Sequence, residues 1–370
     1  MNIKDFIKTA MIIIVAFCIF DINISAEENY DFGQIDIEKA LPDNAENELE
    51  QLGVSTDNGG SNLDLGNVFS RIWDMICESI PKPVSMLISV VGVVLLCTVI
   101  QSMHQGESEL SATFNTIGVL ACSGIICTSF GTIISSSSTA IEGLGAFLSV
   151  YIPAFAGIMA ANGQTATAAA YNGIITVAVQ IFSQIFTFVI FPLVNCIMGI
   201  SIAGAVNPDL KINNIAEMVR KIINWGLAFI MTVFAGILSV QSFVGAAADS
   251  VSMKAAKFTV SGTVPIVGGA VSDALLTVKG SIGVIKASTG GYGIIASAAV
   301  MLPALITLFL FRIIFTISAS VSDMFGISRI TAVLKSGENI LSIIIAMMVC
   351  FWAVAIVSTA LMLVIGGGGI

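Results

Sequence analysis

Charge is what this chain has least of. Only 11% of its 370 residues are Asp, Glu, Lys or Arg, against about 25% in an ordinary soluble domain. With 56% apolar residues, it carries more apolar surface than a soluble core of this length hides, so lipid is the expected solvent. Histidine is scarcer still. The single one, His104, excludes a histidine-rich metal site and reads as a loop residue just past an apolar run. The seven cysteines, at positions 18, 77, 97, 122, 127, 196 and 350, never take the Cys-x-x-Cys spacing of redox or zinc sites. Inside an apolar run a free cysteine acts as a small apolar residue. No P-loop, no nucleophile beside a base and no paired carboxylates occur. An enzyme is therefore not expected, nor a cofactor, a metal or a nucleic-acid partner.

The N-terminus follows its own pattern. Lys4 and Lys8 lie in a short basic region, and an eleven-residue apolar run over 10–20 follows. Ile24-Ser25-Ala26 then precedes an acidic stretch. This predicts a signal peptide over 1–26, because the run is too short for a comfortable span of about 20 residues. An uncleaved anchor continuing through Ile22 and Ile24 is the alternative.

Residues 27–80 form an acidic leader. They hold 13 acidic residues and two basic ones, Lys39 and Arg71, whereas 84–370 hold nine acidic and ten basic. The negative charge is thus concentrated in one segment, which a signal peptide places outside the cytoplasm. Within it, Leu65, Val68, Ile72, Met75 and Ile76 recur at helical spacing with Phe69 and Trp73 beside them. Pro81 and Pro83 end this amphipathic helix. Two placements stand side by side: in the membrane interface, or packed on the membrane domain.

Residues 81–370 read as a multi-span domain, and the fold class expected is all-α. Clear apolar runs occupy 84–103, 114–134, 143–161, 174–203, 222–244, 290–320 and 340–365. A weaker run, 258–276, carries Ser261, Gly262, Thr263, Pro265, Gly268 and Gly269. The expectation is about seven to eight spans. Lys211, Arg220 and Lys221, Lys254 and Lys257, Lys279 and Lys286, and Arg329 and Lys335 fall into four successive loops. No alternation of sides gathers them all in the cytoplasm.

An internal repeat is also legible. Ile152-Pro153-Ala154-Phe155-Ala156-Gly157 resembles Val264-Pro265-Ile266-Val267-Gly268-Gly269, and Phe191-Pro192-Leu193-Val194 resembles Leu302-Pro303-Ala304-Leu305. The offsets of 112 and 111 residues between prolines suggest units 129–241 and 242–365. If 258–276 crosses, each unit has three spans, and the second copy is inverted, as in many transporters.

The polar residues inside spans are few. Thr176, Gln180, Gln184 and Thr187 form one stripe along a helix, either lining an aqueous path or bonding between helices. Arg312 lies within a long apolar run. It points into the bundle or toward water, with Glu142, Asp249 or Asp273 as candidate partners, or it snorkels to an interface. Pro153, Pro192, Pro265 and Pro303 mark kinks or packing sites. Gly291-Tyr292-Gly293 matches the triplet of potassium filters. Lys286 just before it and the lack of a pore-helix pattern make ordinary glycines at a span's start the simpler reading.

The C-terminal third runs from Gly290-Gly291-Tyr292-Gly293 through Leu302-Pro303 and Arg312 to Val321-Ser322-Asp323. Leu334-Lys335 and a long terminal run follow. This order resembles the stage III sporulation protein AE family of endospore-forming bacteria. The signal sequence, acidic leader and multi-span body fit it as well. The resemblance implies a mother-cell protein in the membrane surrounding the forespore. It implies partners from the same operon, including an ATPase and ring-forming membrane proteins, in a channel linking the two cells. A stand-alone secondary transporter of a small solute is the competing expectation, drawn from the repeat and the broken helices.

Overall fold

The computed structural model describes residues 37, 39–55, 65–103, 108–207, 213–263 and 268–367. Among them the chain is helix and turn, with no strand. The elements are α1 (Asp43–Leu52), α2 (Leu65–Ser79), α3 (Pro81–Met103), α4 (Ser108–Ala161) and α5 (Thr165–Ile185). A π-helical turn (Phe186–Ile190), α6 (Phe191–Val206), α7 (Asn213–Thr263), α8 (Gly268–Met324) and α9 (Ser328–Gly367) complete it. Six stretches among the described residues are long and apolar enough to cross a bilayer: Gly66–Ile100, Thr116–Ala161, Thr165–Val206, Glu217–Ser252, Gly280–Met324 and Ser328–Val364. The chain is an all-α polytopic membrane protein. Helices satisfy every backbone donor and acceptor without water, which hydrocarbon demands.

The helices are longer than the apolar runs. Runs 114–134 and 143–161 are two parts of α4, whose 54 residues reach about 80 Å at 1.5 Å per residue. The serines between them do not break it. Ser137 Oγ donates to the Ile133 carbonyl at 2.8 Å and Ser138 Oγ to Glu142 Oε1 at 2.7 Å, so both hydroxyls are satisfied on the helix itself. The run 258–276 straddles the junction of α7 and α8. Residues 264–267, Pro265 included, lie outside the described ones.

Two of the corners are glycine-capped in the same way. Gly163 (φ 82°) ends α4 and Gly326 (φ 75°) ends α8. At the first, Gln164 N donates to the Met159 carbonyl and Gly163 N to Ala160. At the second, Ile327 N donates to Ser322 and Gly326 N to Asp323. This pattern needs a left-handed residue, which glycine supplies without steric cost. The α8–α9 hairpin is the densest part of the core. Ile340, Leu341, Ile344, Met347, Phe351 and Val354 of α9 are fully buried. Phe351 meets Phe186 edge-on at 5.7 Å, which ties α9 to the π-helical turn.

The leader helices pack on this body. Of the two placements open from sequence, contact with the membrane domain is observed. Ala45 and Leu49 of α1 are buried in the common core, and α1 and α2 both lie against α8. Arg71 of α2 makes a two-pronged ion pair with Glu48 of α1. Thr307 of α8 donates its hydroxyl to Ser79 Oγ at 3.3 Å. Phe69 and Trp73 nevertheless face outward. α2 ends at Ser79, but α3 begins at Pro81, and Val84 N still bonds the Ile80 carbonyl at 3.1 Å. A proline at the first helical position costs no hydrogen bond, so the chain passes from one helix into the next.

Candidate functional site

Two charged side chains are buried among the described residues, Asp249 of α7 and Lys286 of α8, 7% and 3% exposed. Both sit where α4 turns into α5. Lys286 Nζ donates to Gln164 Oε1 at 2.8 Å and to the Met362 carbonyl at 2.6 Å. Gln164 is the residue before the first turn of α5, and Met362 lies near the carbonyl end of α9. A cation is favoured there by the partial negative charge of a helix C-terminus. Asp249 does the complementary job. Its two carboxylate oxygens accept from the backbone amides of Ala166 and Thr167 at 2.9 and 3.0 Å. These are amides of the first turn of α5, which no intrahelical carbonyl can satisfy. An anion from α7 and a cation from α8 thus hold one helix corner.

Uncharged polar groups surround this pair. Asn162 Oδ1, Thr167 Oγ1 and Thr289 Oγ1 are buried with no hydrogen-bond partner among the described residues. Tyr151 donates its hydroxyl to the Thr289 carbonyl at 3.4 Å and stacks between Phe147 and Phe155, with centroids 5.3 and 5.5 Å away. The Tyr171 hydroxyl lies beside Ser358 and Thr359 of α9. The arrangement places opposite charges and helix-end dipoles at one buried corner. Those bonds fix the start of α5 against α7, α8 and α9.

The glycines before Ile294 serve packing. A Cβ at position 293 would fall 2.1 Å from the Tyr151 ring, and one at 290 would fall 2.5 Å from Leu363. Both lie inside α8, not at a span's start, and Tyr292 is buried. Gly245 of α7 plays the same part against Thr167: a Cβ there would fall 2.7 Å from the Thr167 hydroxyl.

Arg312 is half-buried, and no ion pair is made by its side chain among the described residues. Two of its candidate partners are engaged elsewhere: Glu142 accepts from Ser138 and Asp249 caps α5. The Asp273 side chain lies outside the described ones. Gln180 and Gln184 face outward, as do Pro153 and Pro192, while Pro303 is half-buried inside α8. Pro192 opens α6 directly after the π-helical turn. That wider turn accommodates the ring and the missing donor of the proline. Pro265 and His104 lie outside the described residues.

Lys286 is the residue that sequence reasoning misplaced. Grouped with Lys279 ahead of a glycine run, it looked like a loop cation. One signal was available. Between Lys286 and Arg312 stand 25 residues without a charge. On a helix the two cations are about 39 Å apart, close to the ~40 Å of a bilayer with its headgroups. Both lie within the apolar stretch Gly280–Met324 of α8.

The family model for Stage III sporulation protein AE matches residues 48–366. A 202-residue stretch, 54% of the chain, is 24% identical to Stage III sporulation protein AE of Bacillus subtilis (strain 168). That alignment covers 51% of the relative, so the chain spans about half the length of the curated protein it matches. No solved structure matches the chain.

Proposed function

The chain belongs to the stage III sporulation protein AE family, and from that premise we propose that it is a non-enzymatic membrane component of a channel complex joining mother cell and forespore. The observation that carries this reading is the family match, which takes in the second leader helix and every long apolar helix. Its partners are other products of the same operon, including an ATPase and ring-forming membrane proteins. The acidic leader 27–80, after a signal peptide over 1–26, faces the extracytoplasmic side, where such rings assemble. The domain 81–370 is the membrane body, with units 129–241 and 242–365 as inverted copies.

The test is complementation in an endospore-forming host lacking its own family member. A tagged chain should restore sporulation and co-purify with operon partners from sporulating cells. A chain that accumulates in the membrane yet restores nothing overturns the reading. The burial of Asp249 and Lys286 within apolar stretches favours a second reading, a stand-alone secondary transporter, because intramembrane charges mark solute paths. Solute flux by the pure protein in liposomes would support it.

A further inference from the structure

We infer that two copies of this chain pair within the membrane through the outer face of α5, amide to amide at Gln180 and Gln184. Both side chains are exposed and lie one turn apart, and neither makes a side-chain hydrogen bond among the described residues. Thr176, one turn below, differs: it donates to Asn172 Oδ1 at 3.5 Å on its own helix. The two glutamines stand among exposed Val177, Ile181 and Phe188.

Depth makes this arrangement costly for a lone copy. α5 starts at Thr165, the first residue of the 42-residue apolar stretch Thr165–Val206. At 1.5 Å per residue, Gln180 and Gln184 lie about 23 and 29 Å further along the helix. They are therefore in the middle of that stretch, far from both of its ends. Acyl chains neither donate nor accept, so an amide facing them goes unsatisfied.

The occupant follows from the chemistry. Residues 165–206 carry no charge, so the face selects a neutral partner. A carboxamide is donor and acceptor at once, and an identical carboxamide completes both halves. A twofold axis along the membrane normal sets Gln180 against Gln180 and Gln184 against Gln184, with both copies inserted the same way. The same face continues toward Thr165 into an apolar groove of about 600 Å³ shared with α7. Ala166, Ala170 and Gly236 line that groove, and small residues let a second helix come close. At the other end, the π-helical turn exposes Phe188 and Val189, which extend the apolar surface of this face.

The full chain, carrying donor or acceptor fluorophores at its C-terminus, is reconstituted in phospholipid vesicles, and energy transfer is followed as lipid dilutes the protein. The parent should associate. The doubly substituted Gln180→Leu, Gln184→Leu chain should dimerise about tenfold more weakly, the loss of two interhelical amide contacts, with an unchanged detergent melting temperature. Gln180→Asn with Gln184→Asn keeps the chemistry on a shorter arm and should fall between. A parent monomeric at every dilution overturns the proposal, and so does a leucine variant that pairs as tightly. Capture of a different protein on this face, with no pairing of the parent, overturns it equally.

Discussion

Lys286 and Arg312 are cations on the same helix, 26 residues apart, and the bundle treats them in opposite ways. At the Lys286 end, α4, α5, α7 and α9 converge, and the ammonium is buried against a side-chain amide and a backbone carbonyl. At the Arg312 end the guanidinium is half-buried, and two of the three acids expected to meet it are engaged elsewhere. Two residues of one class on one helix therefore hold different offices. What separates them is the number of neighbouring helix ends that present a dipole or an amide at that depth. Helix ends carry partial charge, and helix middles do not.

That contrast can be broken at several points. The largest effect is expected for Lys286→Met, which matches the apolar stem but strands Gln164 Oε1 and the Met362 carbonyl in a buried site. Each buried acceptor left without a donor costs about 1–3 kcal/mol, so a loss of about 3 kcal/mol is expected in detergent unfolding. A loss under about 1 kcal/mol would mean that the corner is wet and the network is not structural.

Gly293→Ala comes next. Its methyl would meet the Tyr151 ring at 2.1 Å, and Tyr151 is boxed between two phenylalanines, so the ring cannot yield freely. Overpacking of this kind costs about 1–3 kcal/mol. Gly290→Ala meets the flexible Leu363 instead and should cost less. Equal melting shifts for the two would argue against a rigid Tyr151 stack.

Asp249→Asn should cost about 1 kcal/mol. The amide oxygen can still accept from Ala166 or Thr167, but the charge opposite the α5 dipole is gone. Hydrogen exchange localises the change: protection should drop at the first turn of α5 and hold at α9. Uniform loss across the bundle would show that Asp249 acts through something other than that helix end.

Arg312→Leu is expected to be the mildest, within about 0.5 kcal/mol of the parent, and to accumulate normally in the membrane. A loss matching that of Lys286→Met would erase the distinction between the two ends of α8. Sporulation by this variant separates a boundary anchor from a working residue.

Much of the architecture was legible beforehand because it depends on composition alone. Long apolar runs with few charges become helices in a bilayer whichever helices surround them. The amphipathic leader helix was readable from spacing, and its choice of the membrane domain as partner was not. The helices run beyond their apolar stretches, and α4 holds two of them. Ser137 and Ser138 look like a break in a hydropathy pattern, yet their hydroxyls bond back to the same helix. The glycines at 290 and 293 look like the start of a span, yet they lie inside α8, where Tyr151 and Leu363 fill the space they leave. In both cases a local signal was overridden by a contact.

The sequence by itself determined that this chain is a helical membrane protein, where its charge is concentrated, and which family it resembles. Those properties are sums over residues or their order, and no fold is needed to evaluate them. The tertiary structure alone decided which polar residues matter. Lys286 became a buried keystone because Gln164, 122 residues away, and Met362, 76 residues away, meet it at one corner. Gln180 and Gln184 became an outer face because α5 turned its apolar side, Ile175, Val179 and Phe182, to the core. Burial of a polar group is a relation between distant segments, and only packing creates it.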